Sequence, residues 1–240
     1  NGYNAFYCMK YEITQGQYKD FLNTLTFLQD AARFPNSYGQ NRHTISGAAG
    51  SRTADAPDRF CNFLSWDDLT AFLDWSGLRP MTELEYEKAC RGPLPAVAGE
   101  YAWGNISTVA QTGHSGTDGS GSETALPAGA NCCYDNKMGG PIRAGIFARP
   151  GPGSTREASG AGYWGIMELS GNINERTVTI GNTQGRAFTG LHGDGKLTVL
   201  GAADVGFWPV GGAGTGFRGG VWYYASANAR ASDRTHAAYA

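Results

Sequence analysis

In the N-terminal third of the chain, apolar positions recur at helical spacing behind capping signatures. Thr14 is followed three residues later by Gln17, and Tyr18, Phe21, Leu22 and Leu25 then fall on one side of a 3.6-residue repeat. That pattern predicts an amphipathic helix from about Gln15 into the middle twenties. Ser65 with Asp68 opens a second helix, whose Trp66, Leu69, Phe72 and Leu73 share a face and which Gly77 ends. Thr82 with Glu85 opens a third, short one, closed by Gly92 after Arg91. Ahead of them Phe6, Tyr7, Met9, Tyr11 and Ile13 predict a strand over Ala5 to Ile13, and residues 36 to 58, rich in Gly, Ser, Asn and Ala, read as a long irregular loop.

Beyond Gly92 the helical repeat disappears. Gly113 to Gly129 is a Gly/Ser/Thr-rich loop, and Cys132 to Gly140 and Pro150 to Gly153 are turn regions. Gly162 to Leu169, Thr177 to Ile180, Leu197 to Leu200 and Phe217 to Tyr224 are short apolar segments that predict strands. Helices early and short strands late give an α+β class with much loop, in a single domain over residues 1–240 because no linker divides the chain. Trp222, Tyr223 and Tyr224 are three consecutive rings, and strand alternation leaves at least one of them outside the core.

Composition narrows the function classes. Nineteen basic and 21 acidic residues give a net charge of -2, which argues against nucleic acid or an anionic membrane as the main partner. The 36 glycines, about twice the usual share, occur beside 41% hydrophobic residues, so the body is loop-rich and ordered. No apolar run is long enough to span a bilayer, and any signal or anchor would precede Asn1. Cys8, Cys61, Cys90, Cys132 and Cys133 are too few for a disulfide scaffold and too irregular for a zinc site, and their pairing stays open.

Weak motifs resolve as turns. Gly214 to Gly219 matches Gly-x-Gly-x-x-Gly, but too little chain follows for a dinucleotide fold. Gly190 to Lys196 begins like a phosphate loop, yet Leu197 stands where Ser or Thr must hold magnesium. His43, His114, His192 and His236 are far apart in sequence, and no nucleophile elbow accompanies them.

The stretches Arg79 to Gly92, Tyr101-Ala-Trp-Gly-Asn105, Gly162-Tyr-Trp-Gly-Ile-Met-Glu-Leu-Ser-Gly-Asn-Ile-Asn-Glu175 and Gly216-Phe-Arg-Gly-Gly-Val-Trp222 together resemble the serial motifs of the formylglycine-generating-enzyme (sulfatase-modifying factor) family. The resemblance implies a C-type-lectin-like fold: a small twisted sheet, two main helices and many long loops. It also implies where catalysis would sit, because that family's enzymes use a cysteine pair shortly after the Arg-Gly-Gly motif. This chain has no cysteine after Cys133, and around Tyr224 and Ala229, where the pair would fall, there is no thiol. The expectation is no formylglycine-generating activity and no copper, since no other side chain replaces a thiolate.

The C-terminal segment, about 216–240, is instead similar to the variable proteins of diversity-generating retroelements, a branch whose last segment is randomised by adenine-directed mutagenesis and displayed as a binding face. Asn, Ser, Tyr, Asp, Thr, His and Ala crowd the stretch from Tyr223 to Tyr239. The resemblance implies a non-catalytic display protein with Val221, Trp222, Tyr223, Tyr224, Ser226, Asn228, Asp233, Thr235 and His236 on its ligand face, rings giving area and small polar groups adapting. The implied partner is a protein or glycan on another cell or particle, met outside the cell, at its surface or on a virion. Arg218, Arg230 and Arg234 are expected beneath that face, pairing with carboxylates or carbonyls. A fixed-ligand adhesive or glycan-binding role is an alternative. So is an enzyme of an uncharacterised branch, using a pocket beneath Arg218 to Trp222 with Asp233 or His236 as acid or base. Family members can hold a calcium ion in the loop that here is Glu168 to Glu175. Matched residue by residue, the ligands are the side chains of Glu168 and Glu175 and the carbonyls of Gly171 and Ile173.

Overall fold

A computed structural model describes residues 4–148, 151 and 154–239. The turn expected at Pro150 to Gly153 lies outside the described residues apart from Gly151, and so does Ala240.

Four helices occupy the N-terminal third: α1 (Gln15–Thr24), α2 (Phe27–Arg33), α3 (Trp66–Trp75) and α4 (Glu83–Arg91), with strands β1 (Ile45–Ser46) and β2 (Thr53–Ala54) between α2 and α3. The three expected helices are present with their capping boxes at Thr14, Ser65 and Thr82. At Thr82 the hydroxyl accepts from the Glu85 amide at 3.2 Å, and Glu85 accepts from the Thr82 amide at 2.9 Å. Gly92 closes α4 at φ 61°, a left-handed conformation that favours glycine. Thr82→Ala is expected to lower the unfolding free energy by about 1 kcal/mol in a urea melt. An unchanged midpoint would mean that Arg79, which pairs with Glu85 at 2.6 Å, holds the helix start alone.

Sequence periodicity missed α2, although Thr26 and Gln29 repeat the capping signature. Its Phe27 and Leu28 face solvent, and its buried residue is Asp30, paired with Arg52 at 2.6 Å. A helix held by an ion pair carries no apolar stripe to detect.

The remaining elements are β3 (Gly113–Ser115), β4 (Thr124–Leu126), α5 (Arg156–Ser159), β5 (Glu175–Val178), α6 (Thr183–Arg186), β6 (Thr215–Arg218) and a 3₁₀ turn at Ser226–Ala229. The expected small sheet is three antiparallel strand pairs, β1 with β2, β3 with β4, and β5 with β6. The β3–β4 hairpin lies inside the loop expected at Gly113 to Gly129 and is polar, with Ser115 and Thr124 hydroxyls 2.7 Å apart across it.

Several expected strands are not strands. Ala5 to Ile13 is irregular, with a bend at Lys10 and Tyr11, and has no partner strand: its carbonyls are met singly, Lys10 by the Met167 amide and Ile13 by the Cys61 amide, both at 2.8 Å. Gly162 to Leu169 forms turns, and Leu197 makes only a single bridge to Ala203. Phe217 to Tyr224 is a strand only as far as Arg218. All five cysteines are free.

The helices pack through Tyr18, Phe21 and Phe72 in one apolar cluster. A second cluster joins Phe60, Ile142, Met167, Val221 and Trp222, and a third joins Tyr86, Tyr101, Trp103 and Leu169. The β5–β6 pair lies between α4 and the C-terminal segment, and its last register pair, Glu175 opposite Arg218, brings the two most informative motifs side by side.

Candidate ligand face and cation site

The Arg-Gly-Gly motif ends β6 abruptly. Gly219 and Gly220 both have φ 77°, and a β-carbon on Gly219 would stand 1.9 Å from Glu175 Oε2. Side-chain freedom is absent there because the backbone passes directly over the carboxylate.

Arg218 is fully buried beneath this turn. Its guanidinium donates to Glu83 at 3.3 Å, Glu87 at 2.9 Å and the Ala231 carbonyl at 2.6 Å, and stacks over Tyr86 at 4.9 Å. Arg234 reaches the same Glu83 at 2.9 Å, so both arginines pair with a carboxylate as expected, but Arg234 is exposed and does not lie beneath the face. Arg230 is exposed.

After the turn, Val221 and Trp222 are buried in the second cluster, whereas Tyr223 is 51% exposed. Trp222 is pinned at both backbone groups, its amide donating to the Asn172 carbonyl at 2.8 Å and its carbonyl accepting from Asn136 at 2.6 Å. From Trp222 the rings run on without a break: Tyr223 at 5.1 Å, Tyr224 at 4.9 Å, His236 stacked on Tyr224 at 5.2 Å, and Tyr239 at 6.0 Å from His236. Thr235 is exposed, and Ser226, Asn228, Asp233 and His236 are half-buried around this ridge. Asp233 accepts from the Thr235 hydroxyl at 2.8 Å. Val221 and Trp222 therefore face inward, where they join the wall of a cleft of about 640 Å³ whose other lining residues the sequence did not point to. Met9 and Tyr11, Leu69 and Leu73, and Glu175 and His192 also line it, contributed by segments remote in sequence. The cleft is mainly apolar, as small-molecule sites are.

The four histidines stay apart in their surroundings. His43 is buried against Asn62 at 2.9 Å, His114 lies 3.9 Å from Asp118, His192 lines the cleft and His236 joins the ring ridge. His114, Asp118 and Glu123 converge, but Arg42 and Arg59 neutralise those carboxylates. Asp74, Asp194 and Asp204 also converge, with Asp74 accepting from the backbone amides of the other two at 3.0 and 3.1 Å.

The loop Glu168 to Glu175 has a different character. Glu168, Gly171 and Asn172 all have left-handed backbone, at φ 59°, 81° and 69°, which curls the loop inward. All four carboxylate oxygens of Glu168 and Glu175 are shielded from water without a hydrogen-bond partner. Among the described residues the carbonyls of Gly171 and Ile173 receive no donor either. Buried polar groups are ordinarily satisfied, so a cluster of donorless oxygens suits a hard cation. Burial pushes the Glu168 carboxyl up to about 8, against smaller opposing effects from the Gly145 amide, Arg143 and Lys10. Burial, with a contribution from Glu168, also holds Glu175 well above the usual carboxylate range.

Comparison with known proteins agrees with these motifs. Residues 2–239 match the sulfatase-modifying factor enzyme 1-like domain. The chain belongs to the sulfatase-modifying factor enzyme family. It is 27% identical over 129 residues to formylglycine-generating enzyme of Bos taurus, an alignment covering 42% of this chain and 34% of that protein. It is 26% identical over 131 residues to the enzyme of the same name from Thermomonospora curvata, covering 44% and 43%. Similarity extends to hercynine oxygenase of Mycobacterium tuberculosis, 28% identical over 172 residues, covering 62% of this chain and 39% of that one. The matched region thus spans less than half the length of each of these relatives. No helix among the described residues is long and apolar enough to cross a membrane.

Proposed function

We propose that this family member is a non-catalytic ligand-binding protein, a diversity-generating-retroelement variable protein whose segment 221–239 presents a diversified surface. The observation that carries this is the ring ridge from Tyr223 to Tyr239, exposed in part and edged by Ser226, Asn228, Asp233 and Thr235 on a buried Arg218–Glu83 base. Rings on a rigid base offer contact area at small entropic cost, while the polar edge can vary without touching the core. The C-type-lectin-like reading of the fold, and display outside the cell to a protein or glycan, belong to the same proposal. Val221 and Trp222 serve it as cleft wall and anchor rather than as tips.

The test is the DNA downstream of the gene. A near-copy of the segment coding Gly216 to Ala240, lying beside a reverse-transcriptase gene and differing only at template adenines, is the expected finding. The differing codons should include those of Tyr223, Tyr224, Asn228 and His236. Absence of any such copy at the locus would end the retroelement reading.

An enzyme reading has one observation in its favour: the cleft of about 640 Å³ presents Glu175 and His192 on an apolar wall, and the named relatives are enzymes. With copper, oxygen and a cysteine-containing peptide, no formylglycine product is expected. Turnover would overturn the binding-protein proposal.

Calcium, in this proposal, is a structural cation held by Glu168, Glu175 and the carbonyls of Gly171 and Ile173. Its charge would neutralise two carboxylates that the protein itself leaves unpaired. The loop so braced supports Trp222 through the Asn172 carbonyl.

A further inference from the structure

We propose that Glu12 is a third carboxylate of the cation site, so that a bound divalent cation ties the N-terminal segment to the 168–175 loop and braces one wall of the cleft. The inference rests on the calcium reading above and adds to it a residue from a remote part of the chain.

Glu12 sits in the irregular segment that precedes α1. Its Oε1 is shielded from water and without a partner, and its Oε2 accepts from the Asn172 side-chain amide. Asn172 has no freedom to move away. Its Oδ1 accepts from the Ile142 amide at 2.9 Å, its own amide donates to Cys133 at 2.9 Å, and its carbonyl accepts from Trp222 at 2.8 Å. Asn172 lies between Gly171 and Ile173 in the chain, and its side-chain amide ties the Glu12 carboxylate to that loop.

The charges that act on Glu12 are those of Glu175 and Glu168. Among the described residues none of the three carboxylates pairs with Lys or Arg. Arg143 and Lys10 act on Glu168, and Arg218 on Glu175, without an ion pair to any of them, so three gathered acids leave positive charge to be supplied from outside. The three are not drawn within 4.8 Å of one another, as the Asp74 and His114 groups are. Like charges stand apart, and a divalent ion would pull them together. Three carboxylates and two carbonyls form an oxygen set that suits calcium, with waters completing its shell.

The consequence reaches the cleft. Phe6, Met9 and Tyr11 line it from the N-terminal segment. That segment is held to the body at Lys10 and Ile13 by single backbone hydrogen bonds and has no strand beside it. A cation bound at Glu12 would add a tie in the middle of that wall.

The experiment is calorimetric titration of chelator-stripped protein with calcium chloride, for the wild type, E12Q, E12D and E175Q, together with amide hydrogen exchange over residues 5–13. Circular dichroism establishes that each variant is folded. Expected results are a dissociation constant for E12Q weakened by about tenfold or more, an intermediate value for E12D, and exchange over residues 5–13 slowed by calcium in the wild type but not in E12Q. If E12Q does not fold, a normal affinity and normal calcium protection in E12D would overturn the proposal. Equal affinities and equal protection in wild type and E12Q, with binding lost in E175Q, would remove Glu12 from the site while leaving the calcium reading intact. A wild type that binds no calcium would overturn both.

Discussion

Arg218→Ala is expected to cost the folded chain about 3–5 kcal/mol, the range for breaking a buried ion pair on one side. The guanidinium is fully buried and satisfies Glu83, Glu87 and the Ala231 carbonyl at once. Its removal strands a negative charge on Glu83, which is also fully buried and keeps only Arg234 as a cationic partner. It also frees the Ala231 carbonyl, which helps to anchor the C-terminal segment. Lysine should recover only part of the loss, because one ammonium cannot reproduce a planar fork that bonds in several directions. Urea melts of wild type, R218A and R218K decide the matter. A loss below about 1 kcal/mol for R218A would mean that water replaces the guanidinium, and the C-terminal face would then lack the rigid base assigned to it.

Chelation is expected to produce the second large effect, and its sign depends on pH. In the folded chain without calcium, Glu168 is pushed up from 4.5 to about 8 by burial. Between those values the folded state holds a proton that the unfolded state has lost. Stability therefore falls as pH rises from about 5 towards 8, by up to roughly 1.4 kcal/mol per pH unit for this one group. Glu175 shifts in the same direction and adds to the fall. Calcium needs the ionised carboxylates, so its contribution grows over the same range. At a free calcium concentration on the order of a thousand times the dissociation constant the gain is about 4 kcal/mol. For a chain of this size that raises the melting temperature by roughly 10 °C. Calorimetric scans with calcium and with chelator should coincide more closely at pH 5 than at pH 8. Identical scans at pH 8 would remove calcium from this loop.

The two effects meet in one place. Glu175 and Arg218 are register partners across β5 and β6, and Gly219 lies over the Glu175 carboxylate. The ligand face, the ion-pair base and the cation loop thus share a few residues of backbone. A mutation in one should be checked for effects on the others before its role is assigned.

Much of this protein could be read locally. Capping boxes at Thr14, Ser65 and Thr82 located three helices to within a residue or two, because a cap is satisfied by the chain's own neighbours three positions away. The spaced motifs identified the family, and they single out a loop with two carboxylates and two carbonyls that have no donor among the described residues. What depends on partners distant in sequence was decided by the tertiary structure. Ala5 to Ile13 has the composition of a strand but no strand beside it, and α2 is a helix without an apolar face because Arg52 buries its Asp30. The rings of Trp222, Tyr223 and Tyr224 are chemically alike, yet backbone bonds from Asn172 and Asn136 turn the first inward and leave the second half in solvent. Glu12 carries no local mark at all. Only folding sets it beside a loop more than 150 residues away, where burial and the repulsion of two other carboxylates give it its chemistry.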